Sequence, residues 1–350
     1  MEENPFRIEL NLDNKETVLR TDSNLSQTTL NNLSESFKNF YQESIEKSKK
    51  SNNGIDQQGN IIEAYIRTLS QFINRSQETT LQGLNIAIKR ATEQLFRKLK
   101  DDELIPKGRT TLTLVAVSEI MIHLLNKHIS KKIEKDFLTI KKNLVTITED
   151  LHMVATYAKQ KISNFFGWSI KNGMVILVHG YSTTVLHALK EKVKEGLNFK
   201  VLVTEGRPEN CGELMAKSLT EAGIDVKILL DSSIGYHMKD IDCVVVGAEA
   251  VCENGGIINH IGTFTHAICA KNFKKPFYVM VECLKFLKIY PLDQSDIPQT
   301  VNKFVPGENS QYMYSYCDYT PPEFITLLFT DIGIFTPSAV SDELIQMFYN

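Results

Sequence analysis

The stretch that decides the fold is Asn172-Gly173-Met174-Val175-Ile176-Leu177-Val178. Here the helical spacing of apolar residues gives way to a short, uninterrupted apolar run. Such a run, preceded by a turn dipeptide and rich in branched side chains, predicts a strand whose two faces are both covered. Met174–Val178 is therefore the first predicted strand.

Downstream of this strand, short apolar runs alternate with helical stretches. The further predicted strands span 200–204, 226–230, 242–246 and 276–281, and 325–334 is another apolar, strand-like segment. The predicted helices span 182–195, 212–222 and 263–271. This alternation is typical of a parallel, doubly wound sheet. We predict an α/β fold, in which an N-terminal helical domain precedes a Rossmann-like, doubly wound and mainly parallel sheet domain.

Upstream of the first strand, the pattern is helical. Apolar residues recur at spacings of three and four, and no Pro occurs between Pro106 and Pro208 to interrupt long helices. The predicted helices span 61–73, 79–99, 111–128 and 137–166, the last as two pieces. This part of the chain is predicted to be a helical bundle.

The first 60 residues have a different composition. They hold 7 basic and 10 acidic residues, and 17 of the 37 residues from 24 to 60 are Asn, Ser or Gln. Residues 51–60 offer almost nothing to bury, so we expect a flexible loop or insertion there. The chain therefore divides into a polar segment (1–60) with a flexible insertion, a helical domain (61–170) and a Rossmann-like α/β domain (171–350).

Composition excludes several classes of protein. The 350 residues are 42% hydrophobic, which allows a large core, and the net charge of −3 does not favour direct nucleic-acid binding. The apolar runs are too short for a membrane span, and no secretory signal is visible. The six cysteines contain no C-x-x-C pair, which indicates free thiols in a reducing compartment. We expect a cytoplasmic protein without a metal or cofactor.

The loops after the predicted strands should meet at one rim of the sheet, because ligands bind at the carboxyl ends of the strands in this fold. An Arg there can bind a phosphate with two hydrogen bonds, and an Asn can bind sugar hydroxyls. The candidate ligand residues are His179, Tyr181, Ser182, Arg207, Glu249, Asn259 and His260. Together they predict a pocket for a small phosphorylated polyol. Dinucleotide and ATP sites are not supported, because no G-x-G-x-x-G or Walker motif occurs.

A resemblance becomes specific at two segments of this rim. The segments Gly247-Ala248-Glu249 and Asn254-Gly255-Gly256-Ile257-Ile258-Asn259-His260-Ile261-Gly262-Thr263 resemble the signature of a family with two branches. One branch contains methylthioribose-1-phosphate isomerase and ribose-1,5-bisphosphate isomerase. The other contains the alpha, beta and delta regulatory subunits of eukaryotic translation initiation factor 2B. The resemblance covers about residues 61–350, and residues 327–345 resemble the end of the alpha branch.

Chemistry separates the two branches. Aldose–ketose isomerisation moves a hydrogen between adjacent carbons and needs placed acid and base groups. The isomerases carry a Cys where this chain has Gly180, and an Asp where it has Glu249, a longer side chain. A shift of about 1 Å in the carboxylate can spoil a catalytic geometry. At His260 the isomerase pattern usually has Lys. We therefore expect a chain that is not an enzyme, with a pocket that retains sugar-phosphate or nucleoside-monophosphate binding.

The resemblance also implies partners. An alpha-type chain forms a homodimer that joins the beta, gamma, delta and epsilon subunits, and it takes part in inhibition by the phosphorylated alpha subunit of initiation factor 2. The apolar segment 324–335 is a candidate for the dimer surface. An equally good interpretation is that this segment only packs in the core of the chain. Three other interpretations stay open: a free sugar-phosphate isomerase, a small-molecule sensor unconnected with translation, and a beta or delta subunit.

Overall fold

A computed structural model of the chain describes residues 27–50, 57–101, 112–131, 137–297 and 315–349. Its first part is helical, as the apolar spacing predicts. The helices are α1 (Gln27–Lys50), α2 (Gln57–Arg75), α3 (Leu81–Asp101), α4 (Leu112–Lys131) and α5 (Phe137–Phe166). In the described part of the chain, no helix has the length and apolar character that crossing a bilayer requires.

Helix α1 lies in the segment that the composition marks as polar, and its helical structure was not predicted. Its few apolar side chains fall on one face, where Leu33 and Phe37 are buried and Phe40 packs on the neighbouring core. Residues 57–60 belong to α2, so the loop expected over 51–60 is wrong for these four residues. Residues 51–56 and 1–26 lie outside the described residues.

Helix α5 is a single helix of 30 residues, not the two pieces that were predicted. Its sequence contains neither Gly nor Pro, so no residue in it interrupts the helix. It also passes between two cores. Ile147 and Leu151 pack among the N-terminal helices, and Ile162 and Phe166 pack among the sheet residues. Continuous burial along one face keeps α5 intact.

The buried hydroxyl of Tyr65 ties three of the helices together. Its oxygen lies 2.9 Å from the Thr92 hydroxyl on α3 and 2.6 Å from the Ser118 hydroxyl on α4. Tyr65 is fully buried, so these bonds satisfy a polar group that would otherwise be costly inside the core. Burial also raises the pKa of Tyr65 far above its ordinary value, which keeps the phenol protonated.

The second part of the chain contains two sheets. The strands are β1 (Val175–His179), β2 (Lys200–Thr204), β3 (Asp225–Leu229), β4 (Cys243–Val246), β5 (Ala250–Cys252), β6 (Ile257–His260), β7 (Phe277–Met280), β8 (Phe286–Leu287), β9 (Cys317–Thr320), β10 (Leu327–Phe329) and β11 (Ile334–Phe335). The helices are α6 (Thr183–Lys194), α7 (Cys211–Thr220), α8 (Ile234–His237), α9 (Thr263–Asn272) and α10 (Pro337–Tyr349).

The larger sheet has the strand order β11-β10-β7-β4-β1-β2-β3, and all its strands except β11 are parallel. The strand order reverses between β1 and β4, as in a doubly wound dinucleotide-binding sheet. The predicted fold class is confirmed. The strand-like segment 325–334 is two strands, because Thr330 N donates to the Gly333 carbonyl (2.9 Å) and turns the chain back.

The smaller sheet, β8-β5-β6-β9, was not predicted. The predicted loop over residues 247–263 contains instead an antiparallel hairpin of β5 and β6. Gly255 supplies the turn with φ = +83°. Strands of three or four residues carry too little alternation to stand out in a sequence. This sheet packs on α4, where Leu112 and Ala116 meet Ala250 and Ile258.

Candidate functional site

The strand order reverses between β1 and β4, so the topology places the ligand crevice of this fold at the carboxyl ends of these two strands. The two loops approach each other closely. A Cβ at Gly247 would lie 2.5 Å from the Oγ of Ser182, so glycine allows the contact. Ser182 is the N-cap of α6, and its hydroxyl accepts a hydrogen bond from Val185 N (3.3 Å). Gly180 adopts φ = +77° and faces the Cβ of His260.

His179 is buried at this crevice, and both of its ring nitrogens are hydrogen-bonded. Its Nε2 lies 2.9 Å from the Ile261 carbonyl, which can only accept, so Nε2 carries the proton. Its Nδ1 then accepts from the Thr204 hydroxyl at 2.7 Å. Burial, together with the neighbouring imidazoles of His266 and His260, holds the pKa of His179 well below its ordinary value. The neutral imidazole therefore has a hydrogen bond at each ring nitrogen, and the bond with Thr204 joins β1 to β2.

His260 has the opposite state. Its Nδ1 lies 3.0 Å from the Ile261 carbonyl, and its Nε2 contacts the Glu209 carboxylate and lies 3.6 Å from the Sγ of Cys211. Burial lowers the pKa of His260, but the hydrogen bonds with Cys211 and Glu209 outweigh burial and raise it to about 10. The crevice therefore carries a protonated imidazole at neutral pH.

Arg207 sits on a loop that a carboxylate holds in place. Asp231 accepts hydrogen bonds from the backbone N–H groups of Gly206 (3.0 Å) and Arg207 (2.8 Å). The Arg207 side chain is 61% exposed, and its Nε donates to Glu205 at 3.1 Å. The guanidinium thus lies exposed beside the Glu205 carboxylate.

Asn259 and Asp318 shape the start of α9. The Nδ2 of Asn259 donates to the Thr263 hydroxyl at 3.0 Å. The Asp318 carboxylate accepts from Gly262 N at 2.7 Å and from Phe264 N at 3.1 Å, so it occupies the N-terminus of this helix. Burial raises the pKa of Asp318 to about 7, against the lowering by these backbone hydrogen bonds.

Glu249 lies where the helical part meets the crevice. Its backbone carbonyl accepts a hydrogen bond from the buried Thr113 hydroxyl of α4 at 2.9 Å. Glu249 itself is 8% exposed. Tyr181 is half-buried and packs against the core of the larger sheet. Glu249 is therefore held against α4, and Tyr181 against the larger sheet.

A buried cluster of charges lies at the end of β7. The Glu282 carboxylate accepts from the Thr184 hydroxyl (2.5 Å) and pairs with the Nζ of Lys285 (3.0 Å). Burial raises the pKa of Glu282, but Lys285 and Lys159 outweigh burial and bring it down to about 2. Burial lowers the pKa of Lys159 to about 8. Lys159 belongs to α5, so the helical part contributes a charge to this end of the sheet.

The structure brings two of the predicted residues into contact and shows other partners for two more. The rings of His179 and His260 are 5.4 Å apart, and Ser182 borders the same crevice. Arg207 is held by Glu205 and Asp231, and Asn259 by Thr263. Their roles as ligand residues stay predictions.

Sequence reasoning missed several polar residues at this end of the sheet. The missed residues are Lys159, Thr184, Glu209, Cys211, His266, Lys285 and Asp318. Glu209 and Cys211 lie in the segment between a predicted strand and the next predicted helix, which is a usable signal. Lys159 and Asp318 come from distant parts of the chain and give none. Among the described residues, no group of His, Cys, Asp and Glu is arranged to hold a metal ion.

Comparison with known proteins places this geometry in a family. The model of the Initiation factor 2 subunit family matches residues 54–337, which is most of the chain. The chain belongs to the Initiation factor 2 subunit family. The resemblance inferred from the crevice residues is thereby confirmed.

Two curated relatives represent the two branches of the Initiation factor 2 subunit family. Translation initiation factor eIF2B subunit alpha of Dictyostelium discoideum is 39% identical over 300 residues, which cover 81% of this chain and 90% of the relative. Ribose 1,5-bisphosphate isomerase of Archaeoglobus fulgidus is 32% identical over 186 residues, which cover 51% of this chain and 59% of the relative. The greater identity and coverage place the chain with the subunits, and confirm the prediction that it is not an enzyme.

Solved structures of the Initiation factor 2 subunit family share the fold. The crystal structure of the tetrameric eIF2B-beta2-delta2 complex from C. thermophilum contains a chain that matches with a TM-score of 0.68 at 19% identity. The match covers 89% of this chain and 98% of that one. At this identity the likeness supports the architecture alone.

Proposed function

We propose that this chain is an alpha-type, non-catalytic regulatory subunit of the initiation factor 2B guanine nucleotide exchange complex. In this proposal it forms a homodimer, joins the beta, gamma, delta and epsilon subunits in the cytoplasm, and takes part in inhibition by the phosphorylated alpha subunit of initiation factor 2. The relative named eIF2B subunit alpha supports the assignment. So does Gly180, since isomerisation needs a proton-transfer group and this position of the crevice has no side chain.

The assembly part of the proposal is tested by co-purification. The tagged full-length chain, recovered from its own cells, is expected to bring down the other four subunit types in equal amounts. The same purified chain is then assayed for ketose production from ribose 1,5-bisphosphate. Turnover at enzymatic speed, or recovery without the other subunits, would contradict the proposal.

The homodimer is proposed to use the β11 edge of the larger sheet. Leu328 and Phe329 are fully buried, so core packing explains that part of segment 324–335. Ile332 and Ile334, however, are 44% and 39% exposed. An apolar edge that keeps such side chains at the surface suits a symmetric contact between two copies.

Charge substitutions at the two edges of one sheet test this contact. Ile334→Glu on β11 should convert the dimer to a monomer in sedimentation. Ile228→Glu on β3, at the opposite edge, is the matched control because Ile228 is 49% exposed, and it should leave the dimer intact. A dimer that persists in Ile334→Glu, or dissociates in Ile228→Glu, speaks against the β11 edge.

The pocket part of the proposal is that the crevice holds a sugar phosphate or a nucleoside monophosphate. Helix N-termini attract anions, but Ser182 caps α6 and Asp318 occupies the start of α9. Helix α7 differs, since Asn210 at its N-cap makes no side-chain capping bond. The exposed Arg207 and the protonated His260 adjoin this end of α7. The proposed site for the phosphate is therefore the start of α7.

Removal of one positive charge at either end of β2 tests the pocket. Arg207→Gln acts at the carboxyl end, and Lys200→Gln, its matched control, acts at the amino end, where Lys200 pairs with Asp225 at 3.7 Å. Calorimetry with ribose 5-phosphate and with adenosine monophosphate should show affinity about tenfold weaker in Arg207→Gln and unchanged in Lys200→Gln. No binding by the unmodified chain at millimolar ligand would disprove the pocket.

A further inference from the structure

Three loops at the carboxyl ends of neighbouring strands are tied together by one set of buried bonds. Glu282, after β7, accepts from the Thr184 hydroxyl on α6 (2.5 Å) and pairs with the Nζ of Lys285 (3.0 Å). The same Nζ donates to the Ala248 carbonyl, after β4, at 3.2 Å. The strands β7, β4 and β1 are adjacent in the larger sheet. The loops that follow these three strands are therefore fixed to one another.

This network adjoins two of the candidate ligand residues. Ser182 is the N-cap of α6, in the turn that contains Thr184. Glu249 directly follows Ala248 in the chain. Thr184 and Ala248 are buried and are bonded to the same pair of charged side chains. A ligand that displaces one of these loops therefore acts on the other as well.

Lys159 connects the network with the helical part of the chain. It lies on α5, and its Nζ donates to the Thr183 hydroxyl at 3.1 Å. Burial lowers the pKa of Lys159 to about 8, against the raising effect of the Glu282 carboxylate, so the side chain is a cation at neutral pH. The ammonium is therefore bonded to the start of α6 and attracted to Glu282.

Helix α5 can carry a displacement from one core to the other. Ile147 and Leu151, toward its start, pack among the N-terminal helices. Ile162 and Phe166, toward its end, pack among the sheet residues. The helix contains neither Gly nor Pro, at which helices usually kink, so it moves as one body. Lys159 lies between the two packed sections, and a shift at Lys159 reaches both.

We propose that Lys159 is a positioning residue through which a ligand in the crevice and the packing of the helical part affect each other. This inference rests on the proposed pocket for a sugar phosphate or a nucleoside monophosphate. Lys159 acts through its protein partners, Thr183 and Glu282, and not by contact with the ligand. The coupling is reciprocal, because a bond that differs between the free and the occupied crevice changes the free energy of both parts.

Calorimetric titration of the purified full chain with ribose 5-phosphate tests the positioning role. Lys159→Met should weaken the affinity about tenfold, because the Ser182 turn loses a charged donor that holds it. Lys142→Met, the matched control, removes an exposed Lys from the same helix and should leave the affinity unchanged. An unchanged affinity in Lys159→Met would overturn the inference. No binding by the unmodified chain would instead contradict the proposed pocket itself.

A second substitution removes the same bond from its other side. Thr183→Val keeps the cation of Lys159 but deletes the hydroxyl that it meets, and it should also weaken the affinity. The double variant should be within about twofold of Lys159→Met, because only one bond is lost. Circular dichroism establishes that each variant is folded. A double variant weakened by the product of the two single effects would show that Lys159 does not act through Thr183.

Hydrogen exchange of the full chain, with and without saturating ribose 5-phosphate, tests the coupling. In the unmodified chain and in Lys142→Met, the ligand should slow exchange in residues 137–151 of α5 about fivefold. In Lys159→Met, at a concentration that saturates that variant, the ligand should leave this exchange unchanged. A ligand that binds the unmodified chain without slowing exchange there, or that slows it equally in Lys159→Met, would overturn the coupling.

Discussion

The hydroxyl of Thr113 donates a hydrogen bond to the backbone carbonyl of Glu249 at 2.9 Å, although the two residues are 136 positions apart. Thr113 lies on α4, and Glu249 follows β4 at the reversal of strand order. This bond is buried and fixes the helical part against the crevice loop. The crevice therefore depends on both parts of the chain.

Loss of this bond should destabilise the protein measurably. Thr113→Val keeps the shape of the side chain but leaves the Glu249 carbonyl without its donor, which should cost about 2 kcal/mol of unfolding free energy. Thr156→Val is the control, because the exposed Thr156 hydroxyl bonds within its own helix, to the His152 carbonyl. The control should change stability by less than about 0.5 kcal/mol in urea titration. Equal losses in the two variants would count against the bond.

Gly180 should resist any side chain because of its backbone. Its φ of +77° is costly for other residues, and Gly180→Ala should lower the unfolding free energy by about 1–2 kcal/mol. Gly235, on α8, has open space at its Cβ position and no positive φ, so Gly235→Ala should stabilise by about 0.5 kcal/mol. Thermal denaturation of both variants measures the contrast. A stabilised Gly180→Ala would contradict the strain argument.

The buried pair of Lys285 and Glu282 should be sensitive to the loss of one partner. Lys285→Met leaves the Glu282 carboxylate buried beside fewer compensating charges. We therefore expect the free energy of unfolding to fall by about 3 kcal/mol. Lys194→Met, the control, breaks the exposed Lys194–Glu191 pair and should cost less than about 1 kcal/mol. Adding Glu282→Gln to Lys285→Met should recover part of the stability in urea titration. A double variant less stable than Lys285→Met would argue against the pairing.

His266 should make the protein sensitive to acid. Burial lowers its pKa to about 4, against an ordinary value of 6.5, so the unfolded chain binds the proton more readily than the folded one. This contribution to stability is intact above pH 6.5 and is lost as the pH falls towards 4. The loss amounts to about 2 kcal/mol of unfolding free energy at pH 5.

The measurement compares unfolding free energies of the unmodified chain and His266→Phe at pH 7 and pH 5. The variant lacks the titrating group, so the unmodified chain should lose about 2 kcal/mol more than the variant over this interval. Parallel losses in both proteins would show that His266 is not held neutral.

The architecture could be predicted because each strand of the larger sheet is a short apolar run between helices. Lys200–Thr204 was predicted with the bounds that the structure shows. The hairpin of β5 and β6 could not be recognised, because its strands are short and its residues also match a ligand-loop pattern. Helix α1 was not predicted, because most of its side chains are polar and its buried face is narrow.

The crevice was harder to predict than the fold. The sequence indicated which loops would meet, since the carboxyl ends of parallel strands share one edge. It could not indicate that the Thr204 hydroxyl would hydrogen-bond to Nδ1 of His179, or that the Glu209 carboxylate would contact Nε2 of His260 and keep that imidazole protonated. Those outcomes depend on contacts between side chains that lie 25 and 51 positions apart in the sequence. The polar residues that follow the strands therefore predict where a site lies better than they predict its hydrogen bonds and charges.

Strand β9 and the Asp318 carboxylate come from a much later part of the chain than the crevice they complete. Until residues 317–320 emerge from the ribosome, β6 lacks its antiparallel neighbour and the first N–H groups of α9 lack their acceptor. Domains fold during synthesis from the N-terminal side. During synthesis the chain therefore forms its helices and central strands first, and its crevice is completed only after strand β9 has been made.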